Sequence, residues 1–199
     1  MDKEKIQTIV SDIKYLETTC KNLLNILPSF AITDKRVLPY GLKPHTRSVS
    51  WLVEQVIVQQ MKYHSKELGI EDVSFELPDT CLHDCEINSN NKKYYVNIKI
   101  HNVAGKENKN DIAAVEKLYF QYTVNPDYNL VYACFGIKFE NIQVNFDKDY
   151  SVLFSPQFMP IYVNPRNDKI QATYHHKIIL RTRQNFLNLL KRNSKSITL

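Results

Sequence analysis

Glycine is scarce in this chain, with 4 among 199 residues. That scarcity argues against a glycine-rich loop of the kind that cradles nucleotide phosphates. No run approaches the ~18 apolar residues that a membrane span needs. The opening stretch, MDKEKIQTIVSDIKYLETTCKNLL, is charged and amphipathic and lacks the unbroken apolar core of a signal peptide. A cytoplasmic protein is therefore expected, with Cys20, Cys81, Cys85 and Cys134 as reduced thiols. Internal repeats and low-complexity segments are missing too. What remains is 43% hydrophobic and 24% charged, a balance that fits one globular domain over residues 1–199 with a real core.

Charge is uneven. The formal net charge is +5 over the whole chain, but the last 35 residues alone hold eight basic side chains against one acid, Asp168. A basic end suits a polyanionic partner, although a solvated tail has the same composition.

Hydrophobic periodicity predicts a helix over residues 3–26, ended by Pro28, and a second over about 48–68, capped by Thr46 or Ser48 and stopped by Gly69. Short strands follow at Val73–Leu77, Cys81–Asn88 and Tyr94–His101. Asp111–Gln121 reads as a helix with Asp111 at its N-cap. Leu130–Lys138 is a nearly continuous apolar run, as in a buried central strand. Further strands are expected at Ile142–Asn145, Val152–Phe154 and Ile170–His175, and a closing helix over Arg181–Arg192. That order predicts an α/β fold, a mixed sheet flanked by helices.

The chemistry concentrates in one predicted hairpin. Asp84 lies in the run CLHDCEI and Lys99 in YYVNIKI, with the polar stretch Asn88–Lys93 as the turn. Asn97 and Lys99 are two apart on a strand and share a face; Ile98 between them sends its side chain to the opposite layer and offers its carbonyl. An acid that binds a divalent cation, beside an ammonium, is the minimum equipment for hydrolysing a phosphodiester. Lys99 could instead protect a sheet edge, and Asp84 could cap a turn. Cys81, His83 and Cys85, with His101 downstream, invite a zinc reading. A strand does not readily gather three such side chains around one ion, so buried thiols are expected instead.

D…(D/E)-x-K across a hairpin is the signature of the PD-(D/E)XK nuclease superfamily, and this chain resembles a type II restriction endonuclease of that superfamily. Three further features match in order: a helix with an internal glutamate, Glu54 in RSVSWLVEQV; a helix and apolar strand after the hairpin; and the tail RTRQNFLNLLKR. The resemblance spans roughly residues 40–192. It implies a restriction-endonuclease-like core, Mg²⁺ held by Asp84, Glu54 and the Ile98 carbonyl, Lys99 assisting the water or the phosphate, and a homodimer on double-stranded DNA.

The departure is Asn97, which stands where the second carboxylate belongs. Either Glu54 or Glu86 supplies the missing charge, or the chain is an inactivated variant, or it binds DNA without cutting. Glu54 is favoured, because an acid on a mostly apolar helix is costly to bury unless something binds it. An RNA-processing nuclease is a further alternative.

For DNA recognition, residues 160–199 offer Asn164, Arg166, Asn167, Gln171, Arg181 and Arg183, side chains that suit base edges or phosphates. His175 and His176 lie among them. Lys106, in the loop after the hairpin, and Lys35, Arg36, Lys43 and Arg47, before the second helix, are candidate phosphate contacts. The N-terminal helix, within residues 1–28, is the natural dimerisation element, with packing on its own core as the alternative.

Overall fold

A computed structural model describes residues 2–41, 46–78, 80–105, 109–112, 114–174, 177–194 and 197; of residues 2, 46–48, 109 and 110 it describes the backbone alone. The chain opens with helix α1 (Asp2–Ile26), a two-residue strand β1 (Phe30–Ala31) and helix α2 (Thr46–Tyr63). Strands β2 (Asp72–Ser74), β3 (Cys85–Ser89), β4 (Lys92–Asn102) and β5 (Lys109–Asp111) follow. Helix α3 (Val115–Val124) leads into the long strands β6 (Leu130–Glu140) and β7 (Gln143–Phe154). Strands β8 (Ile161–Val163) and β9 (Ile170–Thr173) and helix α4 (Arg183–Asn193) complete the chain.

Six strands form one sheet in the order β1-β7-β6-β4-β3-β2. Only β4 and β6 run parallel, joined by the α3 crossover; the other pairs are antiparallel. The expected mixed sheet flanked by helices is therefore present. Strand β6 is buried from Leu130 to Ile137, as its apolar run predicts for a central strand covered on both faces. A second, three-stranded sheet has the order β5-β9-β8.

Two cores lie on the two faces of the large sheet. One holds Leu16, Leu23 and Leu24 of α1, Val53 and Ile57 of α2, and Val96 and Ile98 of β4. The other holds Leu118 and Tyr122 of α3, Tyr132 and Cys134 of β6, and Phe186 and Leu190 of α4. The apolar stripe of α1 thus packs largely within its own chain. Leu16, Leu23 and Leu24 are fully covered, and Ile6, Ile9 and Val10 pack against the second core. Ile6, Ile9 and Val10 remain partly exposed.

Several boundaries differ from expectation. The hairpin turn is only Asn90–Asn91, both at positive φ (53° and 57°), because Asn88 and Ser89 already pair with Lys93 and Lys92. A two-residue turn with both residues left-handed matches the strand twist, and asparagine tolerates that conformation well. Helix α2 ends at Tyr63, and the chain turns on to Gly69, whose φ of +69° is the left-handed geometry expected there. Asp111 ends β5 instead of capping a helix; α3 starts after Ala114. The two short strands expected at 142–154 are one continuous β7. No helix among the described residues is long and apolar enough to cross a membrane.

Candidate active site

The β3–β4 ladder ends at Cys85 opposite Val96. Asp84 is the first residue beyond it and still donates its backbone N–H to the Val96 carbonyl at 2.9 Å. The next β4 residue facing that side is Ile98, and its N–H donates to Asp84 Oδ2 at 2.6 Å. The Asp84 side chain thus replaces the missing strand. Because N–H and C=O of a strand residue point the same way, the Ile98 carbonyl faces the same gap.

Asn97 and Lys99 project from the other face than Ile98, which sits in the α1–α2 core. Lys99 Nζ lies 5.7 Å from the ring centroid of Tyr132. Asn97 donates through Nδ2 to the Leu82 carbonyl at 2.8 Å. Its Oδ1 is buried and accepts no hydrogen bond, one of three such side-chain atoms among the described residues. A buried acceptor without a donor is costly.

Glu54, on α2, is coupled by charge to Asp84 and Lys99. Burial first, then the charge of Asp84, push its carboxyl up to about 7, against the pull of the Lys99 ammonium. Burial also raises Asp84, although the Ile98 N–H and the charges of Lys99 and His83 oppose it. Two carboxylates that repel each other, with an ammonium beside them, form a cluster expected at functional sites. Glu86 belongs elsewhere. It takes Lys93 at 2.6 Å and His83 at 3.3 Å. Burial would raise its carboxyl, but Lys93 and His83 outweigh that and hold it low.

His83 is a member of this neighbourhood that strand parity alone did not assign. Its ring is half-buried, edge-on to Tyr95, and 3.5 Å from the Tyr128 hydroxyl. Burial lowers its pKa. The zinc set does not form: Cys81 is exposed and Cys85 is buried in the α1–α2 core, on the sheet face away from His83. Among the described residues no group of three or more His, Cys, Asp or Glu side chains could hold a metal. The oxygen-bearing groups of this neighbourhood are Asp84 and the Ile98 carbonyl at the ladder's end, Asn97 on β4 and Glu54 on α2.

No family model and no curated protein matches the chain. Among solved structures, the NlaIV restriction endonuclease is similar at a TM-score of 0.46 and 14% identity, over 85% of this chain and 80% of that one.

The residues proposed to read DNA separate into two groups. Asn164, Arg166 and Asn167 lie at the tip of the β8–β9 hairpin. Asn164 and Asn167 accept from the backbone N–H groups of Arg166 and Lys169, at 3.0 and 3.1 Å, and Arg166 and Asn167 are exposed. Gln171, Arg181 and Arg183 are built into the fold. Gln171 donates to Asp111 at 2.6 Å and accepts from Tyr162 at 2.8 Å. Arg181 donates to the carbonyls of Gln157 and Met159. Arg183 donates to the carbonyls of Tyr122, Asn125 and Tyr128, with its guanidinium 4.7 Å from the Tyr122 ring centroid. Those three side chains spend donors on contacts within the fold, whereas the hairpin tip leaves Arg166 and Asn167 exposed.

Arg36 is exposed but paired with Asp34 at 2.7 Å. Lys43, Lys106, His175 and His176 lie outside the described residues, as does the side chain of Arg47.

Arg183 closes the C-terminal end of α3, where carbonyls lack helical partners. Arg183→Ala is expected to destabilise the fold by about 1–3 kcal/mol, seen as a lower urea midpoint. An unchanged midpoint with weakened DNA binding would return Arg183 to the interface.

Proposed function

We propose that the chain is a divalent-metal-dependent endonuclease of the type II restriction class, acting on double-stranded DNA. The observation that carries this reading is the end of the β3–β4 ladder, where the Ile98 N–H donates to Asp84 Oδ2 at 2.6 Å; Lys99 follows on the same strand, Glu54 is coupled to both by charge, and Asn97 Oδ1, two residues before Lys99, lacks a donor.

The donor set fits Mg²⁺. All four donors are oxygens, the ligand type that hard cation prefers, and the orphaned Oδ1 and the mutually repelling carboxylates gain most from a cation. Asp84, Glu54, the Ile98 carbonyl and Asn97 Oδ1 would hold it. A cation bound there supplies positive charge to a phosphodiester and acidity to a water. Asp84 is kept in place by the Ile98 N–H. Lys99 presents its ammonium to the charge that develops on the phosphate as the bond breaks. The exposed hairpin tip at Arg166 and Asn167 supplies DNA contacts outside the centre. Cutting both strands of a palindrome calls for a homodimer.

Incubation with phage DNA and Mg²⁺ tests the reading. Discrete fragments support it. A band shift without fragments in any divalent metal would instead make the chain a DNA-binding protein with a degraded centre, and cleavage confined to RNA would move it to RNA processing.

Asn97→Asp probes the departure from the family pattern. The aspartate turns an oxygen toward the Leu82 carbonyl where Nδ2 now donates. The metal-free variant should therefore lose about 1–3 kcal/mol of stability, recover it in Mg²⁺ and cut at least as fast as the parent. Thermal unfolding with and without Mg²⁺, beside a cleavage assay, measures both. A stable but inactive variant would show that the amide has its own role.

A further inference from the structure

Trp51 is the chain's single tryptophan, and it stands 71% exposed on α2. An indole is the side chain whose exposure most needs an explanation, since it carries a large apolar face. Its position is informative. Trp51 precedes Glu54 by three residues, so it lies about 4.5 Å along the helix axis and about 60° around it. Val58, two turns further on and on nearly the same side of α2, is buried at 2% exposure. The cover over Val58 is thus missing over Trp51, one turn above the carboxylate at the proposed centre.

We propose that Trp51 stacks on a nucleobase of the bound strand, next to the phosphodiester that is cut. This rests on the nuclease reading and adds to it a residue that positions the substrate. The phosphate sits at the end of the β3–β4 ladder between Glu54, Asp84 and Lys99. The indole, three residues before Glu54 on α2 and open to solvent, offers a flat apolar surface to the base attached to that phosphate. Every base has a π-face, so the contact is tolerant of sequence. Stacking on it requires the base to leave its own helical stack. The cleaved step is therefore a locally opened one, cheapest where the duplex is easily unstacked.

The lone indole is its own reporter. Lys99→Ala protein, which leaves the substrate intact, is titrated with sheared phage duplex DNA while tryptophan emission is followed. Band shifts run in parallel. Strong quenching on binding is expected. Adding Trp51→Ala should weaken binding at least about fivefold, while Trp51→Tyr should stay within about twofold of the parent. DNA bound with unchanged emission, or a Trp51→Ala single variant that binds and cuts like the wild type, would overturn the stacking and leave the nuclease reading intact. Absence of both binding and wild-type cutting would overturn the nuclease reading, and the stacking with it.

Discussion

Lys99→Ala is expected to lower the single-turnover rate of DNA cleavage by about 10²–10³ and to leave DNA affinity within about tenfold. The separation follows from where the ammonium sits. Lys99 is half-buried, on the sheet face shared with Asn97, beside the Tyr132 ring and within electrostatic reach of Asp84 and Glu54. A cation in such a partly dry setting interacts with developing charge more strongly than one in bulk water. Its contribution grows as negative charge builds in the transition state, so its loss falls on the chemical step. A rapid-quench cleavage assay and a band-shift titration of one preparation give the two numbers. Full activity in the variant would remove the acid–amine mechanism. A parallel loss of binding would make Lys99 an ordinary phosphate contact.

The hairpin that carries this prediction was legible because strand geometry is local. A period of two puts Asn97 and Lys99 on one face and Ile98 on the other, and the two cores confirm that division. The apolar run at Leu130–Lys138 announced a buried strand for the same reason. Glu54 stood out as an acid among apolar helix neighbours, and its carboxyl is coupled by charge to Asp84 and Lys99.

The illegible parts depend on contacts between distant residues. Arg183 and its carbonyl partners are 55 to 61 residues apart in sequence, so an arginine closing a helix end reads like an arginine that meets DNA. Strands β5 and β8 have three residues each, too short for a hydrophobic period, and their pairing with β9 reassigns Asp111 from helix cap to sheet edge. The stripe of α1 had a clear period, but period alone does not say whether its cover comes from the same chain or another.

Glu54→Gln is expected to reduce cleavage by at least about 100-fold and, without metal, to make the protein more stable at pH 8. The sign follows from linkage. The native carboxyl titrates at about 7 against an ordinary 4.5. Below 4.5 the proton is bound in both folded and unfolded chains, and the group's contribution is fully present. Between 4.5 and about 7 the unfolded chain releases its proton first, and stability is lost as pH rises. At pH 8 the metal-free native state holds a carboxylate beside Asp84, and relieving it should return about 1–2 kcal/mol once partial solvent exposure is discounted. At pH 4 the variant and parent should match. Mg²⁺ reverses the order: at 100 times its Kd it stabilises the parent by about 2.7 kcal/mol, whereas the glutamine variant, short of one anionic ligand, gains much less. Urea unfolding at both pH values, with and without Mg²⁺, measures all four corners. A variant less stable than its parent at pH 8 without metal would mean that Glu54 is held by the fold for its own sake. A variant more stable than its parent without metal, and less stable in Mg²⁺, would support the proposed cation at Glu54.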